Sequence, residues 1–119
     1  MSRPSIIPRN EKLLDQYRGP GSCGYCGRWC QFRDASHAFE KGVNSWKRID
    51  LPWNLIGLGT NLPIANACHC HAQYHAGRIP RGQILEKIAA REGVTVQWII
   101  DTHTELLLRG GKGGRLEEE

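Results

Sequence analysis

Two short clusters of cysteine and histidine constrain this chain more than any other feature. The first reads Cys23-Gly24-Tyr25-Cys26, and the second reads Cys68-His69-Cys70-His71-Ala72-Gln73-Tyr74-His75. The chain has five cysteines, an odd number, and residues 1–10 lack the apolar stretch of a secretory signal, which together argue against a disulfide framework. The two clusters instead have the form of the two halves of a metal site.

His71 and His75 form a second pattern inside the later cluster, because they are four residues apart. On a helix both imidazoles would face the same side and bind one metal ion. The pair follows directly on Cys70 and has a matching Cys-x-x-Cys upstream, which makes the combination more specific than a His-x-x-x-His pair alone. The pattern therefore predicts that these two histidines bind a metal ion.

Helices are predicted towards both ends of the chain. Asn10 is expected to cap a helix over residues 11–18, which the turn Gly19-Pro20-Gly21 ends. Two more helices are expected over residues 81–92 and 95–109, each ended by glycine. Their buried faces are expected to contain Ile84, Leu85, Ile88, Trp98, Ile99, Thr102 and Leu106.

The middle of the chain predicts two strands and one helix. Aromatic residues favour a strand within residues 28–39, and a second strand is expected near residues 46–50. Residues 51–67 mix prolines and glycines with apolar side chains, which favours a packed irregular loop. A helix is expected to begin near Cys70 and to end at Gly77-Arg78-Ile79-Pro80.

The order of these motifs resembles that of the HNH nucleases, the ββα-metal or His-Me finger enzymes whose small core is stapled by a structural zinc. The resemblance is closer to the Rap/NinG family of phage recombination nucleases, which have Asp-Ala-Gly-His where this chain has Asp34-Ala35-Ser36-His37. That family also has an Arg-aromatic/aliphatic-Asn/Asp stretch resembling Arg48-Ile49-Asp50. The resemblance covers residues 23–77.

The resemblance implies an α+β fold with a ββα-metal core, flanked by an N-terminal helix and two C-terminal helices. The expected organisation is an N-terminal arm and short helix over residues 1–21, a nuclease domain over residues 22–109, and a disordered tail over residues 110–119. The implied activity is divalent-metal-dependent hydrolysis of DNA phosphodiester bonds that leaves a 3′-hydroxyl and a 5′-phosphate. Enzymes of this kind often cut as dimers, and the sequence leaves the stoichiometry open.

The resemblance also implies roles for individual residues. His37 is expected to be the general base, a role that suits imidazole because its ordinary pKa lies near operating pH. His71 and His75 are expected to hold a catalytic Mg²⁺, Mn²⁺ or other divalent ion. Asp34 is expected to be a further ligand, because Ser36 stands where most members have an Asp or His. In a regular strand residues 34 and 37 face opposite sides, so a bulge or the strand's end is required.

The family's motif asparagine, which braces the loop beside the base, has three candidates here. Asn54 is favoured because Trp53-Asn54-Leu55-Ile56-Gly57-Leu58 resembles the family's Asn-Leu-x-x-Leu-Cys run, although Gly59 stands in the cysteine position. Asn61 is the second choice, and Asn66 is the third candidate.

The zinc staple is expected to use Cys23, Cys26 and Cys70, with Cys68 as the fourth ligand. Cys30 and His69 are the alternatives for that fourth position, because the family's usual partner falls on Ala67. Thiolate-rich tetrahedral sites select zinc.

Charge favours a polyanionic partner. The chain has 16 basic and 12 acidic residues, and three of the acidic residues are the terminal Glu117, Glu118 and Glu119, without which the net charge is +7. The expected partner is DNA, contacted by Arg78, Arg81, Lys87 and Arg91, although these residues equally suit a solvated helix face. No apolar run approaches the roughly 20 residues of a membrane span, so a cytoplasmic protein is expected.

The alternative function is a non-catalytic zinc-binding module for DNA or RNA, in which histidines serve only the structure. Four cysteines satisfy one zinc, however, which would leave His37, His71 and His75 without a role. His103 is expected to be an ordinary polar helix residue. Four tryptophans, Trp29, Trp46, Trp53 and Trp98, are expected in the core, although one exposed near the site could stack on a base.

Overall fold

The computed structural model describes Ile7, residues 9–39, residues 48–60 and residues 68–111, with side chains to residue 109. Its elements in chain order are α1 (Glu11–Asp15), β1 (Gly21–Ser22), β2 (Trp29–Cys30), β3 (Arg33–His37), β4 (Leu55–Gly59), α2 (Cys70–His75), α3 (Arg81–Glu92) and α4 (Val96–Gly111). The strands form two antiparallel pairs, β1 with β2 and β3 with β4. The predicted α+β class is confirmed.

The second strand of the larger sheet is β4 and not the predicted strand near residues 46–50, of which residues 46 and 47 lie outside the described residues. Residues 48–50 form neither helix nor strand, whereas β4 pairs with β3 in a register that runs from Arg33↔Gly59 to His37↔Leu55. All five residues of β4 are buried. A strand that is covered on both faces lacks the alternation of polar and apolar residues that marks a half-buried strand, so its pattern was mistaken for a loop.

Position 57 of β4 requires glycine because its neighbours leave no room for a side chain. A β-carbon at Gly57 would lie 2.7 Å from the carbonyl oxygen of Tyr17. The glycines that suggested a loop are therefore positions where another segment approaches the strand closely.

The N-terminal helix is shorter than predicted and is capped as predicted. The side chain of Asn10 accepts a hydrogen bond from the backbone nitrogen of Leu13, 3.1 Å away. α1 ends at Asp15 and not at residue 18. A turn then leads to Gly19, whose φ of +73° is the left-handed value that glycine adopts without strain.

The C-terminal helices match their predicted ranges closely. α3 ends at Gly93 in the left-handed conformation, and α4 begins after Thr95, whose hydroxyl accepts from the backbone nitrogen of Trp98 at 3.0 Å. α4 continues to Gly111, two residues beyond the predicted end, and residues 112–119 lie outside the described residues. The organisation into arm, nuclease domain and tail stays a prediction.

The core lies between the β3–β4 sheet and the two C-terminal helices. Ile84, Leu85 and Ile88 of α3 are buried as predicted, and Ile99 and Leu106 of α4 pack against the same core. In the described ranges, no helix combines the length and the apolar character that crossing a bilayer requires.

Of the three tryptophans that the structure describes, only Trp53 lies in the core as predicted, with 8% of its surface exposed. Trp98 is 46% exposed and meets Trp53 edge to face, with ring centroids 6.4 Å apart. Trp29 is 60% exposed, whereas Cys30, the other residue of the two-residue strand β2, is buried. Trp46 lies outside the described residues.

Candidate functional site

Four cysteines from two distant segments meet at one point. The sulfur atoms of Cys23, Cys26, Cys68 and Cys70 all lie within 4.8 Å of one another. Cys23 and Cys70 are buried, Cys68 is half-buried and Cys26 is exposed. Such a set of four thiols can hold a metal such as zinc, which favours tetrahedral sulfur coordination.

The backbone around these cysteines explains how the sequence brings them together. Gly27 has a φ of +78°, and its nitrogen donates to the carbonyl of Cys23 at 2.9 Å, which closes the turn between β1 and β2. Gly24 lies against β4: its nitrogen donates to the carbonyl of Gly57 at 2.7 Å, and a β-carbon there would lie 2.5 Å from Ile56. The turn therefore needs glycine at both positions, for conformation at one and for space at the other.

His69 gives the second half of the cluster its shape. It has a φ of +60° and is the only residue other than glycine with positive φ in the described part of the chain. This left-handed residue separates Cys68 from Cys70, the first residue of α2. A non-glycine residue in this conformation carries strain, which is typical of functional sites.

The four-cysteine group contains Cys68 and neither of the alternative ligands, Cys30 and His69. Cys30 is nevertheless adjacent, with its sulfur 3.6 Å from the sulfur of Cys68 and within reach of the carbonyl of Arg28 at 3.4 Å. It is a buried neighbour of the group.

The thiols of the group differ in their acidity. Burial alone would raise the pKa of Cys23, but hydrogen bonds from the backbone of Cys26, Gly59 and Tyr25 outweigh it and lower the pKa to about 7. Burial and the neighbouring thiol of Cys68 raise the pKa of Cys70 above its ordinary value. A bound metal ion replaces the protons of such thiols. The close group of four sulfur atoms is therefore suited to binding a cation.

Three histidines line one cavity outside the cysteine group. The cavity has a volume of about 430 Å³, and its wall contains Arg18, Asp34, Ala35, Ser36, His37, His71 and His75. A second cavity of about 290 Å³ shares His37 and His75 and is completed by Tyr74, Gly77, Ile79, Pro80 and Arg81. The strand β3 and the helix α2 thus place the imidazoles of His37, His71 and His75 around a common opening.

His71 and His75 face each other across one turn of α2, as their spacing predicted. Their Nε2 atoms are 2.9 Å apart, a separation at which both nitrogens can reach one ion bound about 2.1 Å from each. Burial and the neighbouring His75 lower the pKa of His71 below its ordinary value, against the opposing effect of Asp34. The neutral ring favoured by that shift is the form that binds metals.

Asp34 contacts the other nitrogen of His71. Its Oδ2 lies 3.1 Å from Nδ1 of His71, on the side of the ring away from His75. A carboxylate in this position orients a metal-binding histidine. Among the described residues, the four cysteines are the only group of three or more possible ligands that lie within 4.8 Å of one another, so direct binding of an ion by Asp34 stays a prediction.

His37 is the last residue of β3, so the strand's end brings it to the cavity that Asp34 also lines. Its Nε2 lies 2.7 Å from Oδ1 of Asp50, and the two side chains are 9% and 0% exposed. Nε of Arg48 donates to both carboxylate oxygens of Asp50 at 3.0 Å. Burial alone would raise the pKa of Asp50, but the bonds from His37, the backbone of Asn10 and Arg48 together lower it.

Asn54 is buried completely and ties three segments together. Its Oδ1 accepts from the backbone nitrogen of Phe39 at 2.8 Å, and its Nδ2 donates to the carbonyl of Ile49 at 3.0 Å. It thus joins the segment after β3, and so the neighbourhood of His37, to the segment that carries Asp50. Asn61 and Asn66 lie outside the described residues.

The predicted nucleic-acid contacts occupy different environments. Arg81 lines the second cavity, donates to the carbonyl of Ala38 at 3.0 Å and lies 5.1 Å over the ring of Phe39. The amine of Lys87 lies 6.0 Å over the ring of Tyr25, and Arg78 is exposed. Arg91 donates to the carbonyl of Pro52 at 2.6 Å, so its side chain is bound to its own fold.

Sequence reasoning missed two residues of the site. Arg18 was placed only in the first helix, yet it lines the histidine cavity while pairing with Glu11 and Asp15 at 2.8 and 3.1 Å. Asp50 was noticed only as part of the Arg48-Ile49-Asp50 stretch that resembles the family. The signal that could have found it was the opposite charge of Arg48, two residues before it, with which it pairs. His103 stacks on Phe39 with centroids 3.8 Å apart.

Comparisons of the chain with protein-family models, with curated proteins and with solved structures found no match.

Proposed function

We propose that this protein is a divalent-metal-dependent DNA endonuclease of the HNH type, with a ββα-metal core formed by β3, β4 and α2 and stapled by a zinc ion on four cysteines. One observation carries the proposal. The cysteines form a complete four-ligand group without any histidine, while His37, His71 and His75 line a separate cavity. A protein that used its histidines only to hold a structural ion would not leave three of them around an opening.

The histidine pair fits a divalent cation. His71 and His75 present facing nitrogens, Asp34 orients His71, and both open cavities adjoin the pair. Ser36 lines the larger cavity with them, and its buried hydroxyl oxygen has no hydrogen-bond partner among the described residues. His71 and His75 would hold the divalent ion, which when bound would supply Lewis-acid stabilisation of the scissile phosphate and of the leaving oxygen.

The remaining steps fall to the protein's own residues. His37 takes a proton from a water molecule, whose oxygen forms a bond to phosphorus while the bond to the 3′ oxygen breaks. The products are a 5′-phosphate and a 3′-hydroxyl, which receives its proton from solvent. Asn54 holds the segment after His37 in place through the backbone of Phe39.

Positively charged side chains near the cavities would bind the DNA phosphates. Arg18 and Arg81 lie at the two cavities on either side of His37 and His75, where guanidinium groups suit phosphates that flank the scissile bond. The net charge of +7 outside the terminal glutamates adds attraction that does not depend on base sequence.

A plasmid-nicking assay with zinc-loaded protein and added Mg²⁺, Mn²⁺ or other divalent ions tests the proposal. We expect nicked circles from the parent, and losses of at least about 10²-fold in the variants His37→Ala, His71→Ala and His75→Ala. His103→Ala is the matched control, because it removes an imidazole outside the cavity, and it should nick like the parent. DNA binding without cleavage by the parent, under every metal condition, would replace the enzyme with the zinc-binding nucleic-acid module.

A further inference from the structure

The contact between His37 and Asp50 resembles the carboxylate–imidazole pairs of hydrolases that activate a nucleophile. Asp50 is 1% exposed, and its Oδ1 lies 2.7 Å from Nε2 of His37. A buried, ionised carboxylate accepts hydrogen bonds and cannot donate them. The Nε2 atom of His37 must therefore carry a proton in this arrangement.

From this geometry we propose that Asp50 is the positioning residue of His37, an inference that rests on the proposed function. By accepting the proton of Nε2, Asp50 holds the imidazole in the tautomer whose Nδ1 accepts the proton of the attacking water. When Nδ1 has taken that proton the ring becomes a cation, and the carboxylate beside it stabilises the charge. The proton then leaves Nδ1 for solvent, and Asp50 remains ionised throughout.

Two further contacts fix the carboxylate for this role. Nε of Arg48, itself 5% exposed, donates to both oxygens of Asp50 at 3.0 Å. The backbone nitrogen of Asn10 donates to Oδ2 at 2.8 Å, which leaves Oδ1 directed to His37. A carboxylate with this many donors stays ionised and has one orientation, as an imidazole of defined tautomer requires.

Charged and titratable groups from several elements of the described part of the chain surround His37. Asp34 of β3 and Arg18 after α1 line the first cavity, His71 and His75 of α2 face the same opening, and Tyr74 and Arg81 complete the second cavity. Asp50 contacts the ring of His37 directly, at Nε2.

The tautomer is measurable without activity, by ¹⁵N NMR of the imidazole rings in zinc-loaded protein. We expect the parent to show His37 protonated at Nε2 and unprotonated at Nδ1 at neutral pH. The variant Asp50→Asn should lose this preference, because an amide can donate to Nε2. A parent protein whose neutral His37 carries its proton on Nδ1 would overturn the proposal, and this result does not require any variant to fold.

Activity provides the second readout. Asp50→Asn is expected to lower kcat by about 10²- to 10⁴-fold with little change in KM, whereas Asp50→Glu should restore part of the loss. Glu86→Gln removes an exposed carboxylate on α3 and should behave like the parent. In a His37→Ala background, adding Asp50→Asn should cause no further loss, because its effect passes through the imidazole.

These results separate the two proposals. If His37→Ala cleaves like the parent, the proposed function fails. If His37→Ala is inactive while Asp50→Asn retains the parent kcat, only the role of Asp50 is overturned. A further loss of activity from Asp50→Asn in the His37→Ala background would also overturn it, since it would show that Asp50 acts on the fold and not through the ring.

Discussion

Gly59 lies directly beside Cys68, so close that a β-carbon at Gly59 would overlap the sulfur of Cys68 and lie 2.8 Å from the sulfur of Cys30. The last residue of β4 is thus part of the wall of the cysteine group. This contact connects β4, the strand that pairs with β3 and so with His37, to the group of four cysteines.

Gly59→Ala is therefore expected to weaken zinc binding as well as the fold. The added methyl displaces Cys68 because the neighbouring backbone belongs to a buried strand that cannot move aside. Zinc content by mass spectrometry and the melting temperature measure the effect. Gly82→Ala is the control: no atom lies within 4 Å of its β-carbon, and on helix α3 it should leave zinc content unchanged and stabilise the helix by up to about 1 kcal/mol.

Zinc stoichiometry distinguishes the ligands from their neighbour. We expect the parent to bind one zinc per chain tightly, Cys68→Ser to lose it, and Cys30→Ser to retain it, because Cys30 lies outside the four-sulfur group. Chelation of the zinc should unfold the turn that carries Cys23 and Cys26, seen as loss of amide dispersion in NMR spectra. Retention of zinc by Cys68→Ser together with its loss from Cys30→Ser would reverse the assignment.

Asn54→Ala is expected to destabilise the protein strongly. The change leaves the backbone nitrogen of Phe39 and the carbonyl of Ile49 without their partner, at about 1–3 kcal/mol for each unsatisfied buried group. Denaturant unfolding measures the loss. Asn10→Ala, which removes only an exposed helix cap, should cost about 0.5–2 kcal/mol, and equal losses in the two variants would show that Asn54 is not a brace.

Acid stability depends on Asp50. Its pKa is lowered in the folded protein, so its contribution is fully present above the unfolded value, near 3.8, and is lost as the pH falls through the lower folded value. The free energy of unfolding of the parent should therefore fall more steeply below that pH than that of Asp50→Asn. Denaturant unfolding at a series of acidic pH values measures both slopes.

The control for this pH dependence is Glu11→Gln. Hydrogen bonds from Arg18 and Arg9 lower the pKa of Glu11, but this carboxylate is exposed and its interactions are screened by salt. At high salt, the free energy of unfolding of Glu11→Gln should depend on acidic pH almost as it does in the parent. The difference in this pH dependence between the parent and Asp50→Asn should persist. Parallel slopes for the parent and Asp50→Asn would contradict the assignment.

The sequence alone predicted which side chains come together in both clusters. Cysteine spacing predicted the four-sulfur group, because two closely spaced pairs of cysteines in one chain are typical of a metal site. Helical periodicity placed His71 and His75 face to face, because residues four apart on a helix are neighbours by local geometry. Local signals also predicted α3, α4 and the Asn10 cap, since each depends on contacts within a few residues.

Tertiary structure decided whatever depends on contacts between distant segments. The strand β4 was missed because burial on both faces removes its alternation, and only its pairing with β3 makes it a strand. The partner of His37 is Asp50, thirteen residues away across a part of the chain in which no local periodicity applies. Arg18 reaches the histidine cavity because the turn after α1 packs there. Local sequence patterns do not predict contacts of this kind, because these contacts depend on how separate helices and strands pack against one another.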